Sequence, residues 1–263
     1  MPRTLEDVLH YFLPEADDAP PKTPRRPRVA PAHHAIVAVP VGERVVVRAA
    51  FVWNLAVELS RAGAVATVLA PALREASSLW PDPGRGPLGS ELVLTFADDV
   101  ADLARAALDV AQARAAESPT GGGVVLVRVP PEWLAKAADA GPLLERVLLF
   151  SSPDPRDLKD AYALAKRLLW SAPTATLGVT IHGVRSIAEA RRAFVRLAGA
   201  TERHLFRSLV SYGLIVDDLH VYRSILNRYA IGLAHPQSPA TRSLAEVAAL
   251  LLRDVAAEET ARA

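Results

Sequence analysis

The chain has 263 residues, 51% of them hydrophobic, enough to bury one sizeable core and therefore to form one principal domain. Thirty Lys and Arg against 29 Asp and Glu leave a formal net charge of +1, so no global field draws the chain to nucleic acid or to an acidic membrane. There is no cysteine, which excludes disulfides and Cys-ligated metal centres, and no apolar run approaches the roughly 18 residues that span a bilayer. The start also lacks the hydrophobic segment of a signal peptide, and the expectation is a cytoplasmic protein without direct membrane insertion.

Taken in chain order, the first element predicted is a short helix. Thr4-Leu-Glu-Asp7 reads as its capping box, and Leu5, Val8, Leu9, Phe12 and Leu13 fall on one face before Pro14 ends it. Residues 14–34 hold six prolines with Arg25, Arg26 and Arg28, the composition of an extended linker. A helix this short is marginal alone in water and must dock, either on the chain's own body or on another protein. A tether this long exceeds what docking within one domain requires, so residues 1–13 are expected to be a partner-binding element, followed by the linker and a body over residues 35–263. The first 34 residues balance five acidic with five basic side chains, which argues against nucleic acid as the partner. His33 and His34 lack further ligands at metal-binding spacing and read as linker residues.

The body alternates strand and helix, the pattern of a doubly wound α/β domain with a mostly parallel sheet flanked by helices. Strands are predicted near 35–40, 65–69, 92–96, 124–129, 146–151, 175–181 and 213–216. Helices are predicted near 47–62, 98–117, 155–170, 187–198, 201–210, 219–228 and 242–258. Gly63 stands where a helix C-cap prefers glycine, and the Pro- and Gly-rich stretch 80–89 is expected to be a loop without regular structure. The last helix carries Glu246, Asp254, Glu258 and Glu259, the wrong sign for an anionic lipid surface, and is expected to pack on the sheet.

One turn carries the functional argument. Ala35–Val41 is an apolar strand, Gly42-Glu43-Arg44 a short connection, and the following helix contains Asn54-Leu55-Ala56. A phosphate-binding loop has this layout. The segment resembles the start of the MinD/ParA-like deviant-Walker ATPases, most closely their FlhG (FleN) branch, with Gly42 on the family's first glycine and Asn54-Leu55-Ala56 on its N-L-A. Laid on that pattern, the signature lysine is Glu43, glycines are Arg44, Val45 and Val47, the phosphate-binding lysine is Arg48, and the threonines are Ala49 and Ala50. The resemblance implies further losses. Ala70-Pro71-Ala72 stands where the family has Asp-x-Asp, Arg128 where it has the Walker-B Asp, and His182 where it has an adenine-contacting Asn.

The resemblance extends through residues 149–166, through Gly213…Asp217-Asp218 and through His235-Pro-Gln-Ser-Pro-Ala240, covering roughly residues 35–252. Glu43 would set a negative charge where a triphosphate sits, Val47 a branched side chain where backbone must approach, and Ala49 lacks the hydroxyl that holds Mg²⁺. Arg48 alone retains a charge that pairs with phosphate. The expectation is a catalytically inactive member that acts as an interaction scaffold or spatial regulator, with no nucleotide or metal cofactor. The alternative is an NTP-binding enzyme with a rearranged site. Without ATP to bridge two subunits, self-association is expected to be nucleotide-independent, through Val45-Val46-Val47 beside Arg44 and Arg48, or to pair the chain with an active paralogue.

Overall fold

Strand β1 (His34–Pro40) is the apolar run His-Ala-Ile-Val-Ala-Val-Pro, nearly all of it buried, as a central parallel strand covered on both faces must be. The computed structural model describes residues 2–12, 34–42, 46–72, 81–117, 122–136 and 140–262. The other strands are β2 (Val65–Pro71), β3 (Gly84–Arg85), β4 (Glu91–Thr95), β5 (Gly123–Val129), β6 (Arg146–Ser151), β7 (Thr176–Val184) and β8 (Val210–Val216). They form one eight-stranded sheet in the order β3-β4-β2-β5-β1-β6-β7-β8. Every pairing is parallel except that of β3 with β4 at one edge.

The helices are α1 (Val46–Arg61), α2 (Val100–Glu117), α3 (Pro155–Ser171), α4 (Ile187–Leu205), α5 (Leu219–Leu226), α6 (Ile231–Ala234) and α7 (Pro239–Arg262). The β1-α1-β2 crossover runs in one direction along the sheet, whereas α2, α3 and α4 join strands in the opposite direction. Right-handed crossovers then put α1 on one face and α2, α3 and α4 on the other. α7 returns from β8 to pack on the sheet beside α1.

Local chemistry sets the helix ends. Asp154 caps α3 by accepting the Arg156 N–H at 2.7 Å, with Pro155 at the first helical position. Ser186 and Glu189 cap α4 between them, Ser186 Oγ taking the Glu189 N–H and the Glu189 carboxylate taking the Arg185 N–H. Asp218 accepts from His220 N–H at 2.9 Å to start α5 and from Ala240 N–H at 3.2 Å, joining α5 to the start of α7.

Four expectations are corrected. The two helices expected over 187–210 are one, which runs through Gly199 and stops at left-handed Phe206, φ 54°, with Thr201 Oγ1 donating to Leu197 O at 2.9 Å within it. The following strand accordingly begins at Val210 rather than 213. The Pro- and Gly-rich loop contains the edge strand β3, and residues 231–234 form the unpredicted helix α6.

The largest correction concerns the N-terminus. The predicted partner helix is a turn and a short 3-10 helix, Leu9–Tyr11, folded onto the chain's own body. Leu5 and Val8 are 0% and 1% exposed in the main core, and Leu9 and Phe12 pack against it; Leu13 lies outside the described residues, as do 14–33 of the expected linker. Arg3 explains the attachment. Its carbonyl accepts from Ser211 N–H at 2.9 Å, its Nε donates to Ser211 O at 2.9 Å, and its guanidinium holds both carboxylate oxygens of Asp254 at 2.7 and 2.9 Å. Residues 3–12 thereby cover β8, which ends the sheet. Between Ser211 and Leu214, β8 carries an extra residue relative to β7, with Gly213 at φ 85°, and a Cβ there would lie 2.2 Å from the Phe12 ring. Phe12 thus occupies the space that the missing side chain leaves.

Candidate functional site

β1 is the topological switch point, since the chain leaves it toward β2 on one side while β6 and β7 continue on the other. Ligands in open α/β sheets bind beyond the carboxyl ends of strands at such a point. Gly42 follows the end of β1 there and is half-buried; Glu43, Arg44 and Val45 lie outside the described residues. α1 begins at Val46, with Val46 and Val47 half-buried against the core, so these two valines are committed largely to packing. Ala49 is buried, Ala70 ends fully buried in β2, and Ala72 is half-buried just beyond it. Arg128 is buried within β5 opposite Val39 of β1.

Arg48 organises the crevice. From the first turn of α1 its Nη2 reaches Asp157 Oδ2 on α3 at 2.7 Å, and its Nε donates to His182 Nε2 on β7 at 3.2 Å. Ser152, just past β6, donates its hydroxyl to the same Asp157 oxygen at 2.5 Å. The Phe51 ring lies 5.3 Å from His182 and 5.8 Å from Phe150, closing the pocket wall with apolar surface. Two of the residues singled out from sequence, Arg48 and His182, are therefore in contact. Sequence reasoning did not single out Asp157 and Ser152. The signal was present, because a cation directed into a fold needs a carboxylate partner, and Asp157 opens a helix whose start faces the crevice.

The electrostatics agree with the geometry. Burial, and then the neighbouring Arg48 charge, push the His182 imidazole down to about 4, against a weaker opposite pull from Asp157. His182 is neutral at pH 7, and because its Nε2 accepts from Arg48 its proton is on Nδ1. For Asp157, burial alone would raise the carboxyl, but the Ser152 hydroxyl and the Arg48 guanidinium outweigh it and hold it below the ordinary carboxylate value. The lone pair that would make His182 a general base is occupied by Arg48. Ser152 donates to the Asp157 carboxylate, whose proton affinity is lowered, and not to the His182 imidazole, so Ser152 and His182 do not form a nucleophile and base pair.

Asn54, matched above to N-L-A, has a structural role. It is buried in α1, donates to Ala50 O and accepts the Ile231 N–H that begins α6, both at 2.8 Å.

Several solved structures share this architecture. The MinD cell division protein of Aquifex aeolicus superposes with a TM-score of 0.59 at 14% identity, over 83% of this chain and 96% of its own. The chain has the MinD/ParA fold. A ParA family ATPase from Chlorobium tepidum gives 0.57 at 12% identity over 82% and 98%, and the Pyrococcus furiosus cell division ATPase MinD 0.56 at 15% over 83% and 98%. No family model and no curated protein sequence matches the chain.

The resemblance read from sequence implies Mg·ATP, and the residues present do not fit it. Arg48 is already paired to Asp157, and Ala49, Ala70 and Ala72 offer neither a hydroxyl nor a carboxylate to a metal ion. Among the described residues no group of three His, Cys, Asp or Glu is placed to hold a metal ion, and no helix is long and apolar enough to cross a membrane.

Proposed function

We propose that this protein is a pseudo-ATPase of the MinD/ParA type, most similar to the FlhG branch, serving as a protein-interaction scaffold or spatial regulator in polar positioning, motility or secretion assembly. The observation that carries the reading is the occupation of Arg48. Among the described residues, the cation at the phosphate position, Arg48, is bonded to Asp157 and His182, so a triphosphate would have to break a charge-assisted pair and leave Asp157 unneutralised beside its own negative charge. Among the described residues no group of side chains in the crevice offers compensating metal ligands. A protein partner suits the fold, since the Aquifex aeolicus MinD is also known in complex with MinC. Self-association of this chain is nucleotide-independent on this reading.

Phosphate release by the full chain with Mg²⁺ and ATP or GTP tests the proposal. It predicts turnover at background for wild type and for Arg48→Lys, because that change restores neither the glycines nor the metal ligands. Turnover that needs Mg²⁺ and disappears in Arg48→Ala would overturn it in favour of an enzyme with a rearranged site.

A further inference from the structure

With the N-terminal segment committed to the chain's own sheet, a partner must meet another surface, and on one of them positive charge meets the two most exposed large aromatic side chains, Trp170 and Phe206. Between Pro155 and Arg207 there are ten Lys and Arg against four Asp and Glu, in a chain whose total is +1. The four acids offset little of this. Asp157 is held in the crevice and Glu189 caps α4, leaving Asp160 and Glu202 exposed on the two helices. Among the described residues, Lys159, Lys166, Arg167 and Arg196 have no carboxylate partner.

The same face carries two large aromatic side chains turned to solvent. Trp170, in the last turn of α3, is 84% exposed, and Phe206, at the end of α4, is 86% exposed. They belong to one end of the molecule, because Arg207, next to Phe206, donates to the carbonyl of Pro173, three residues beyond Trp170. Beside Trp170 runs a groove of about 420 Å³ between α3 and the turn Trp133–Lys136, floored by Leu134, Ala135 and Ala163 and edged by Lys166 and Arg167. Aromatic residues and arginine are the side chains enriched at protein interfaces, and Trp and Arg at their energetic centres.

We propose that the α3/α4 face is a docking surface for an acidic, amphipathic segment of a protein partner. An apolar side chain of that segment enters the groove against Trp170, and its carboxylates meet Lys166, Arg167 and the cations of α4. The combination selects this occupant. An apolar floor asks for aliphatic groups, which a nucleic acid lacks, and a concave groove suits a side-chain anchor better than a flat bilayer does. The proposal rests on the scaffold reading only in taking the partner to be a protein.

The test uses the full chain and a synthetic Leu/Glu peptide with Leu at i, i+3, i+4 and i+7, measured by fluorescence anisotropy alongside oligo-dT and phosphatidylglycerol/phosphatidylcholine vesicles. The peptide is expected to bind in the micromolar range and more weakly as salt rises. Trp170→Ala, Phe206→Ala and Arg167→Glu, all at exposed positions, should each weaken it, the first by about tenfold or more, with melting temperature unchanged. No peptide binding at hundreds of micromolar, equal binding by the variants, or preference for oligo-dT or vesicles would overturn this surface. None of these outcomes bears on nucleotide turnover, so the scaffold reading stands or falls separately.

Discussion

Acidification should unlock the crevice before it unfolds anything else attached to it, and His182 sets the pH. An imidazole whose proton affinity is lower in the folded state favours folding above its ordinary value of 6.5, and that contribution is lost as pH falls from 6.5 through about 4. Each pH unit of separation is worth about 1.4 kcal/mol, so the separation corresponds to about 3 kcal/mol in full and about 2 kcal/mol by pH 5. The chemical reason is specific: protonated Nε2 cannot accept from Arg48 Nε and sets a second positive charge against the guanidinium. Urea denaturation followed by circular dichroism at pH 7.5, 6 and 5 measures the loss, and His182→Gln, which keeps an acceptor without titrating, provides the reference. Wild type should lose about 2 kcal/mol more than His182→Gln between pH 7.5 and 5. Equal losses in both proteins would refute the reasoning.

Three further perturbations probe the packing. Leu5→Ala should cost about 2–5 kcal/mol, and for a chain of this size lower the melting temperature by several degrees or more, measured by calorimetry; an unchanged melt would restore the partner-helix reading of residues 1–13. Gly213→Ala should destabilise by strain at φ 85° and by collision with Phe12, and adding Phe12→Ala should relieve the second part, so non-additivity in the double-mutant cycle is expected and strict additivity would contradict the contact. Glu58 is buried on α1 with Oε1 unpaired, and burial raises its carboxyl, with Arg61 opposing. Its stabilising share is therefore present below the ordinary value of 4.5 and lost as pH rises through the higher folded value, so Glu58→Gln should flatten this part of the stability–pH profile; a steeper loss above pH 5 in the variant would contradict it.

The frame of the fold was legible in sequence because buried parallel strands are continuous apolar runs and their helices carry explicit caps. β1, β5 and β6 were located within a residue or so, and the residues that resemble MinD/ParA motifs do meet. Asp218 and Ala240, from two separate weak motifs, are joined by a hydrogen bond, and Arg48 and His182 by another. The errors have a common physical origin. An amphipathic pattern states that a face will be buried but not against what, so Leu5, Val8 and Phe12 were read toward a partner, when the unpaired edge of β8 and the glycine bulge at Gly213 required covering. Likewise, two helices were expected at 187–198 and 201–210 where a single helix spans Ile187–Leu205. Asp157 has no local spacing that marks the distant arginine it neutralises, and only the general need of an inward-directed cation for a carboxylate partner points to it.

Calorimetric titration of the full chain with Mg·ATP, at pH 7.5 and moderate salt, tests the central claim most directly. With Arg48 bonded to Asp157 and His182, and Ala49, Ala70 and Ala72 offering no metal-binding oxygen from their side chains, the account predicts no saturable heat at micromolar to submillimolar nucleotide, with or without Mg²⁺. A one-site isotherm of micromolar or tighter affinity that depends on Mg²⁺ and vanishes in Arg48→Ala would contradict it.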